Sequence, residues 1–233
     1  MNFRYIFRAL VYRIAWPLVS LMGGKLKFAL VYKLNLWGNG ESASGDGSTL
    51  AYTGQLRVRL PALFADYQVH TVLDAPCGDY HWFRHVPRSG ICYIGGDIVR
   101  ALVTDNQTRY GSAETRFVTL DIRTDALPQA DLWICRDCTF HLPTRDVIRT
   151  FLNFAKSNIP YILTTSHQEV RENVELPKSG FRLMNLQLPP YSFPEPLVAI
   201  EDWIPGFPRR ILGLWTREDV KDALARTAPR RKA

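Results

Sequence analysis

One stretch decides the fold of this chain, Thr71-Val72-Leu73-Asp74-Ala75-Pro76-Cys77-Gly78-Asp79-Tyr80. Its apolar start predicts a short buried strand, which ends at an acidic residue and a tight turn. In an open α/β sheet, ligands bind in the crevice at the carboxyl ends of the strands, where a strand passes to the helix that follows it. Because Gly78 has no Cβ, the backbone can approach a ligand closely there. The turn, with Asp74 beside it, therefore predicts a ligand cradle.

Strand and helix patterns alternate along the chain after this turn. Apolar runs predict strands at Ile91–Gly96, Thr115–Leu120, Asp131–Cys135 and Tyr161–Thr165. Helical patterns follow at 98–110 and at 144–155, where Thr144 is the expected N-cap. This alternation predicts parallel βαβ units in a doubly wound α/β sheet with helices on both faces.

The last part of the chain breaks the alternation. Apolar runs at 197–200 and 210–215 are joined by a short connection, 202–208, that contains proline and glycine. A link this short suits an antiparallel pair of strands rather than a crossover. A final helix is predicted over Thr216–Ala225, with its first residue as the N-cap.

Composition and charge limit the class of protein. The chain has 233 residues, 46% of them hydrophobic and 22% charged, which is ordinary for one soluble α/β domain with a well-buried core. Much of the net charge of +7 lies at the two ends, a distribution that suits a membrane surface, nucleic acid or simply solubility. The four cysteines form no disulfide framework, so a reducing, cytoplasmic setting is expected.

Residues 1–36 are apolar, aromatic and sprinkled with basic side chains. Arg13, Pro17 and the pair Gly23-Gly24 interrupt the apolar run, which is too short for the roughly 20 residues of a membrane-spanning helix. We favour a helical cap that packs on the domain. The alternative is a peripheral helix in the interface of the inner membrane surface. Residues 37–225 then form the main domain, and 226–233 a basic tail.

The segment 37–48 is rich in glycine and serine. It is either a flexible linker or a loop whose backbone N–H groups wrap around an anion. After it, apolar residues at helical spacing predict a helix within 50–67, with Pro61 as its break or its start.

Four successive predicted strands end in an acidic residue, namely Asp74, Asp97, Asp121 and Asp137. Each of them alone is explained as the cap of the helix that follows. Together, and with Gly78 after the first, they favour a shared ligand site at one edge of the sheet. A ligand with ribose hydroxyls, an amino group and a positive centre would use such a set.

These motifs resemble those of the class I S-adenosylmethionine-dependent methyltransferases. Val72–Asp79 resembles the glycine-rich first motif, with Pro-Cys-Gly in place of the usual glycine series, as in a bacterial subgroup assigned loosely to sugar and glycan methylation. Tyr93–Ile98 resembles the second motif, whose acidic residue binds the ribose hydroxyls. Leu120–Ile122 resembles the segment that contacts adenine, and Ile134–Leu142 the fourth motif, at the edge of the methyl-transfer site.

The resemblance implies a seven-stranded sheet with an antiparallel last strand, and S-adenosyl-L-methionine as the cofactor. The cofactor-binding residues it implies are Trp37, Asp74, Ala75, Pro76, Cys77, Gly78, Asp97, Ile98, Asp121, Ile122, Cys135 and Arg136.

Other types of site are less well supported. A dinucleotide-binding turn would need Gly-x-Gly-x-x-Gly, and here only Gly78 is present. Cys135 and Cys138 have the spacing of a zinc or redox pair but lack a second pair of ligands, so no metal is predicted. The fourth strand lacks a base-flipping motif, and no nucleic-acid partner is expected.

Methyl transfer is an in-line displacement, and a hydroxyl acceptor also needs a base to take its proton. His141 is the first candidate, because an ordinary imidazole pKa near 6.5 would make it a usable base at neutral pH. It is equally explained as a residue that bonds the backbone at a helix start. Asp137 would orient it or bind the substrate hydroxyl, and His167 is the second candidate.

The proline-rich segment 176–208 is predicted to form the lid or wall that selects the acceptor. The function predicted from the sequence is therefore O-methylation of a small molecule or of a sugar or glycan hydroxyl. The alternative is a non-catalytic relative that keeps the methyltransferase fold as a binding or partner subunit.

Overall fold

The structure is a computed structural model, and it describes residues 16, 18, 19 and 22–227. Within that part, seven strands form one sheet: β1 Thr71–Asp74, β2 Cys92–Asp97, β3 Thr115–Thr119, β4 Leu132–Cys135, β5 Tyr161–Ser166, β6 Val198–Glu201 and β7 Ile211–Thr216. The α-helices described are α1 Gly24–Lys33, α2 Gly54–Asp66, α3 Arg100–Tyr110, α4 Thr144–Lys156 and α5 Arg217–Thr227.

The sheet has the strand order β3-β2-β1-β4-β5-β7-β6. The first five strands pair in parallel, whereas β7 runs antiparallel to both β5 and β6. The predicted seven-stranded, mostly parallel sheet with an antiparallel last strand is confirmed. The order reverses between β1 and β4, and in doubly wound sheets the ligand crevice lies at this switch point.

Side chains of the central strands alternate between two apolar cores. Leu73 and Trp133 are fully buried on the side covered by α4 and α5, and Val72 and Leu132 on the side covered by α2. Fully burying one such side chain stabilises the fold by about 1.5–3 kcal/mol. Helices therefore cover both faces, as the alternation of patterns predicts, and the edge at the strand ends stays open for a site.

Pro61 lies inside α2, so the prediction that it breaks or starts the helix was wrong. An interior proline costs about 3 kcal/mol in helix propensity. The same helix buries Leu56, Leu60, Leu63 and Phe64, each worth about 1.5–3 kcal/mol. Packing of this face therefore outweighs the backbone penalty.

The two predicted helix caps have different outcomes. Pro143, not Thr144, precedes α4, and the Thr144 hydroxyl accepts a hydrogen bond from Arg182 at 3.0 Å instead. At the start of α5 the prediction is confirmed. The Thr216 hydroxyl accepts the Asp219 N–H at 3.0 Å, and the Asp219 carboxylate accepts the Thr216 N–H at 3.0 Å, the reciprocal arrangement of a capping box.

The N-terminal segment is described only in part. Trp16 and Val19 are buried against Val31 of α1, and the Trp16 indole donates to the Lys178 carbonyl at 3.2 Å, while Leu18 is 65% exposed. Residues 1–15 lie outside the described part, so the choice between a cap and a membrane helix stays a prediction. In the described residues, no helix is long and apolar enough to cross a bilayer.

Candidate functional site

A cavity of about 360 Å³ lies at the carboxyl ends of the central strands. Most of the site residues expected from the sequence line it: Trp37, Asp74, Pro76, Cys77, Gly78, Asp97, Ile98, Asp121, Ile122, Arg136, Asp137 and His141. Ala75 and Cys135 do not. Their side chains are fully buried in the apolar core covered by α4 and α5, so the structure gives them a packing position behind the cavity wall.

Gly78 shapes the turn after β1. Its φ is +56°, and a Cβ there would collide with the Ser44 hydroxyl. Its N–H donates to the Asp97 carboxylate at 3.2 Å, and a second oxygen of Asp97 accepts the Val99 N–H at 3.0 Å. Burial raises the pKa of Asp97 to about 6, although these backbone bonds oppose the rise. The turn thus holds one carboxylate in place beside a glycine against which Ser44 and Tyr32 pack closely.

Asp74 is the second carboxyl at this turn, and it is only 2% exposed. The Tyr93 hydroxyl donates to its Oδ2 at 2.7 Å. Burial raises the pKa of Asp74 to about 7, while the bond from Tyr93 and the charge of Arg136 lower it. A buried carboxyl with such a pKa would be stabilised by a cationic ligand group.

Asp121 is already paired. Arg123 donates to its two oxygens at 2.8 and 2.7 Å and also bonds Asp146 at 2.8 Å. These hydrogen bonds from Arg123 hold the pKa of Asp121 below its usual value. Any ligand group at Asp121 would share the carboxylate with Arg123, which also lines the cavity and which sequence reasoning did not single out.

The four acidic residues do not cap the helices that follow them. The N-cap positions of α3 and α4 are Val99 and Pro143, and neither these helices nor the short 3₁₀ turns at 83–85 and 139–141 have a side-chain cap bond. All four acidic residues line the cavity instead. Their capping interpretation was wrong, and the shared position expected from the strand ends is confirmed.

The other end of the cavity holds two arginines and two aspartates. Arg136 donates to both oxygens of Asp202 at 2.9 and 2.8 Å. Arg210 donates to Asp137 at 2.9 Å and to the Asp202 carbonyl at 2.8 Å, and both guanidinium groups lie over the Tyr52 ring. Sequence analysis missed Tyr52, Asp202 and Arg210, which reach this point through long-range packing.

Asp137 stays ionised at this end. Burial alone would raise its pKa, but the charges of Arg136 and Arg210 outweigh burial and lower it. The Asp137 N–H donates to the Thr165 hydroxyl at 3.0 Å. Because Asp137 Oδ2 is already bound to Arg210 and lies 3.4 Å from Arg136, Asp137 is better suited to accept a hydrogen bond than to take a proton.

His141 is held by the backbone and by an aromatic ring. Its Nδ1 lies 2.7 Å from the Gly180 carbonyl, and its ring stacks on Trp37 at 4.9 Å. A carbonyl only accepts, so Nδ1 carries the proton and Nε2 keeps its lone pair. The expectation that Asp137 orients His141 by a hydrogen bond is not met, because Gly180 does so.

The pKa expected for His141 was also wrong. Burial lowers it from 6.5 to about 4, so the imidazole is neutral throughout the physiological range. His167, the second candidate, is 2% exposed and lies with Nδ1 3.3 Å from the Met184 carbonyl. Burial lowers the pKa of His167 to about 4 as well. Both rings are neutral, but His141 is the more open to the cavity.

The segment 176–208 supplies Phe181, Phe207 and Pro208 to the cavity wall. Its predicted role in selecting the acceptor stays a prediction. Among the residues that the structure describes, no group of three or more His, Cys, Asp or Glu side chains could hold a metal ion.

The segment 37–48 is not a free linker, because it is tied to the turn after β1. The carboxylate of Asp79 accepts hydrogen bonds from the Ser42 hydroxyl at 2.8 Å, the Ala43 N–H at 2.7 Å and the Ser44 hydroxyl at 3.1 Å. Ser42 and Ser48 are buried. The anion that this loop wraps is therefore the protein's own Asp79, which is not free to act as a base.

Known proteins resemble this chain in fold and not in sequence. No family model matches it, and no curated protein matches it. Among solved structures, a mitomycin 7-O-methyltransferase aligns with a TM-score of 0.57 at 16% identity, over 75% of this chain and 55% of the other. The chain thus spans about half the length of that relative.

Two further structures align over most of both chains. A Burkholderia thailandensis 1,6-didemethyltoxoflavin-N1-methyltransferase, solved with its substrate and S-adenosylhomocysteine, gives a TM-score of 0.58 at 14% identity, over 84% of this chain and 91% of the other. A magnesium protoporphyrin IX methyltransferase from Synechocystis PCC 6803, solved with S-adenosylmethionine, gives 0.52 at 15% identity, over 92% and 97%. With its sheet order and its site at the switch point, this chain has the fold of the class I S-adenosylmethionine-dependent methyltransferases.

Proposed function

We propose that this chain is an S-adenosylmethionine-dependent methyltransferase that methylates a hydroxyl group of a small molecule or of a sugar or glycan. The observation that supports this most is the pair of buried carboxyl groups, Asp74 and Asp97, beside the turn at Gly78. A bound cofactor would supply an electrophilic methyl group to an acceptor at the Asp137 end of the cavity.

The residues of the turn fit the cofactor. Asp97, held by two backbone N–H groups, would accept the ribose hydroxyls, and Asp74 would face the cationic part. Ile98 and Ile122 line the same end and offer apolar surface to an adenine ring. Asp121 could bind an adenine amino group only through a carboxylate to which Arg123 already donates two hydrogen bonds.

The step that side chains of this protein would carry out is removal of the proton from the acceptor hydroxyl. Nε2 of His141 would take it, because Nδ1 is committed to the Gly180 carbonyl. Asp137, kept ionised by Arg136 and Arg210, would accept a hydrogen bond from the acceptor and orient it. In-line geometry then depends on how firmly this wall holds the acceptor.

The alternative of a non-catalytic subunit that no longer binds the cofactor is less favoured on energetic grounds. A raised carboxyl pKa means that the folded state disfavours the charged form, at about 1.4 kcal/mol for each pKa unit. Asp74 and Asp97 both carry this cost, with pKa values of about 7 and about 6. A protein that binds no cofactor would gain nothing from keeping two such groups at an open cavity.

Replacing Asp97 with alanine is expected to weaken binding of S-adenosylhomocysteine by about 1–3 kcal/mol, as for a lost hydrogen bond to a charged group. Isothermal titration calorimetry on the purified protein measures it. Asp105→Ala is the matched control, because Asp105 pairs with Arg109 on the exposed face of α3, outside the cavity wall, and should leave affinity unchanged. Equal affinity for Asp97→Ala and the wild-type protein would remove Asp97 from the site.

Binding should also depend on pH. The folded-state pKa values of Asp74 and Asp97, about 7 and about 6, lie above those of the unfolded chain. The ligand-free fold therefore loses stability as pH rises from about 4 through about 7, while the ionised carboxylates gain affinity for the ammonium group and the ribose hydroxyls of the ligand. We expect S-adenosylhomocysteine to bind more tightly at pH 8 than at pH 5.

Titrations at several pH values test this, with Asp74→Asn as the comparison. The variant keeps the shape of the side chain but cannot ionise, so the part of the pH dependence nearest neutrality should disappear. An affinity that is constant from pH 5 to pH 8 in the wild-type protein would contradict the assignment of both carboxyl groups.

A further inference from the structure

Residues 38–48 form a strap that crosses the cavity. Its first half is tied to the turn after β1 by Asp79, whose carboxylate accepts hydrogen bonds from Ser42, Ala43 and Ser44. A further hydrogen bond joins the two segments, because the Asp79 N–H donates to the Ser44 hydroxyl at 3.1 Å. The Tyr32 hydroxyl of α1 lies 3.0 Å from the same oxygen.

The second half of the strap reaches the acceptor end. A Cβ on Gly47 would lie 2.5 Å from Asp137 Oδ2 and 3.3 Å from Arg210 Nη2, so the backbone there lies directly on these side chains. Residues 44–48 all line the cavity. One short segment thus touches both the turn that would hold the cofactor and the wall that would hold the acceptor.

The attachment of the strap depends on few groups. Asp79 is half-buried, and within the described residues no Lys, Arg or His side chain forms an ion pair with it. Its charge is met by the strap and by the His81 N–H at 3.3 Å. An exposed pair, His81 with Glu41 at 2.9 Å, adds one more link. Breaking a handful of hydrogen bonds would therefore free the strap while the sheet stays intact.

We propose that the strap is a lid over the cavity and that Asp79 is the positioning residue that keeps it closed over the bound cofactor. The proposal rests on the proposed function, because it takes the turn at Gly78 as the cofactor cradle. Asp79 acts through Ser42, Ala43 and Ser44, whose donors lose their acceptor when it is removed. Lids of this kind control release of the product, so the effect should appear in the dissociation rate.

The experiment measures dissociation of S-adenosylhomocysteine from the full chain by stopped-flow tryptophan fluorescence. Asp79→Ala should accelerate dissociation about tenfold or more, with a smaller change in association. The variant Ser42→Ala/Ser44→Ala removes the partner hydroxyls while Asp79 itself stays in place, and it should act in the same direction. Adding it to Asp79→Ala should have little further effect, because both changes break the same contacts. Asp105→Ala is the control, expected to leave dissociation unchanged.

Hydrogen exchange distinguishes a lid from a general loss of structure. In Asp79→Ala the amides of the strap should exchange faster while those of β1 and β4 keep their protection. Unchanged dissociation in Asp79→Ala, or equal loss of protection in strap and sheet, would overturn the lid. No binding of S-adenosylhomocysteine to the wild-type protein would instead overturn the proposed function, and the lid with it.

Discussion

Replacing His141 with alanine is expected to lower turnover about 10²-fold, the lower end of the usual contribution of a positioned general base, because a pKa of about 4 makes His141 a weaker base than an ordinary imidazole. Affinity for S-adenosylhomocysteine should change little, since the cradle is formed by Asp74, Gly78 and Asp97. The expected loss of turnover follows from the tautomer of the imidazole. Nδ1 of His141 is bound to the Gly180 carbonyl, so its other nitrogen has no proton and is the one available to the acceptor.

The pH dependence of this step follows from the lowered pKa of His141, about 4. The base is neutral from pH 5 to 8, so kcat with saturating cofactor should be flat across that range and fall only as pH approaches about 4. An unperturbed imidazole would lose activity near pH 6.5. Saturation with cofactor matters, because Asp74 and Asp97 make cofactor binding itself depend on pH.

Turnover is measured as release of S-adenosylhomocysteine with the best acceptor from a panel of hydroxylated small molecules and sugars. His70→Ala is the matched control, because His70 is exposed and lies outside the cavity wall. Added imidazole should restore part of the activity of His141→Ala and none to the control. If His141→Ala keeps wild-type turnover, the proton goes elsewhere, and His167 becomes the residue to test.

Local patterns were enough to predict the sheet and one half of the site. The apolar runs and the turn residues between them predicted the strands. Because parallel strands end at one edge of a sheet, Asp74, Asp97, Asp121 and Asp137 were expected to lie close together. The wrong predictions for Thr144 and Pro61 also came from considering only residues close in sequence. Thr144 has the right chemistry for an N-cap, but a bond to Arg182, 38 residues away, occupies its hydroxyl. Pro61 was judged by its backbone cost without the packing that offsets it.

The other half of the site depends on contacts between distant parts of the chain. Asp202 and Arg210 belong to the terminal hairpin, and only its packing beside β5 places them on Arg136 and Asp137. The lowered pKa of His141 arises from burial beside Trp37 and Phe181, and neither neighbour could be inferred from the residues around position 141. The hydrogen bonds from Ser42, Ala43 and Ser44 to Asp79 likewise join residues more than 30 positions apart, and local patterns could not predict them.

The two arginines and two aspartates form one cluster of ion pairs at the wall that we propose for the acceptor. Asp202 has a side chain that is 0% exposed, and Arg136 one that is 3% exposed. They form a bidentate bond, and Arg210 Nε approaches Asp202 at 3.3 Å. Asp137 is bound to Arg210, so the two negative charges of the cluster balance its two positive charges.

Replacing Asp202 with alanine should therefore lower the free energy of unfolding by about 3 kcal/mol, the lower end of the cost of removing one partner of a buried ion pair, because Arg136 loses its bidentate partner but keeps Asp137 at 3.4 Å. Urea titration or thermal melting of the ligand-free protein measures it. Asp105→Ala removes an exposed helix pair with Arg109 and should cost no more than about 0.5 kcal/mol.

The cost should come from the buried guanidinium group of Arg136, which then has to share Asp137 with Arg210, and not from the lost bond alone. In the double variant Asp202→Leu/Arg136→Met, the remaining pair of Asp137 and Arg210 is still balanced, and apolar side chains fill the space. Exchanging a whole buried ion pair for apolar groups is often neutral or stabilising, so this variant should recover most of the stability that Asp202→Ala loses. A loss below about 1 kcal/mol in Asp202→Ala would mean that water reaches Arg136, and the wall would then be too open to hold an acceptor in line.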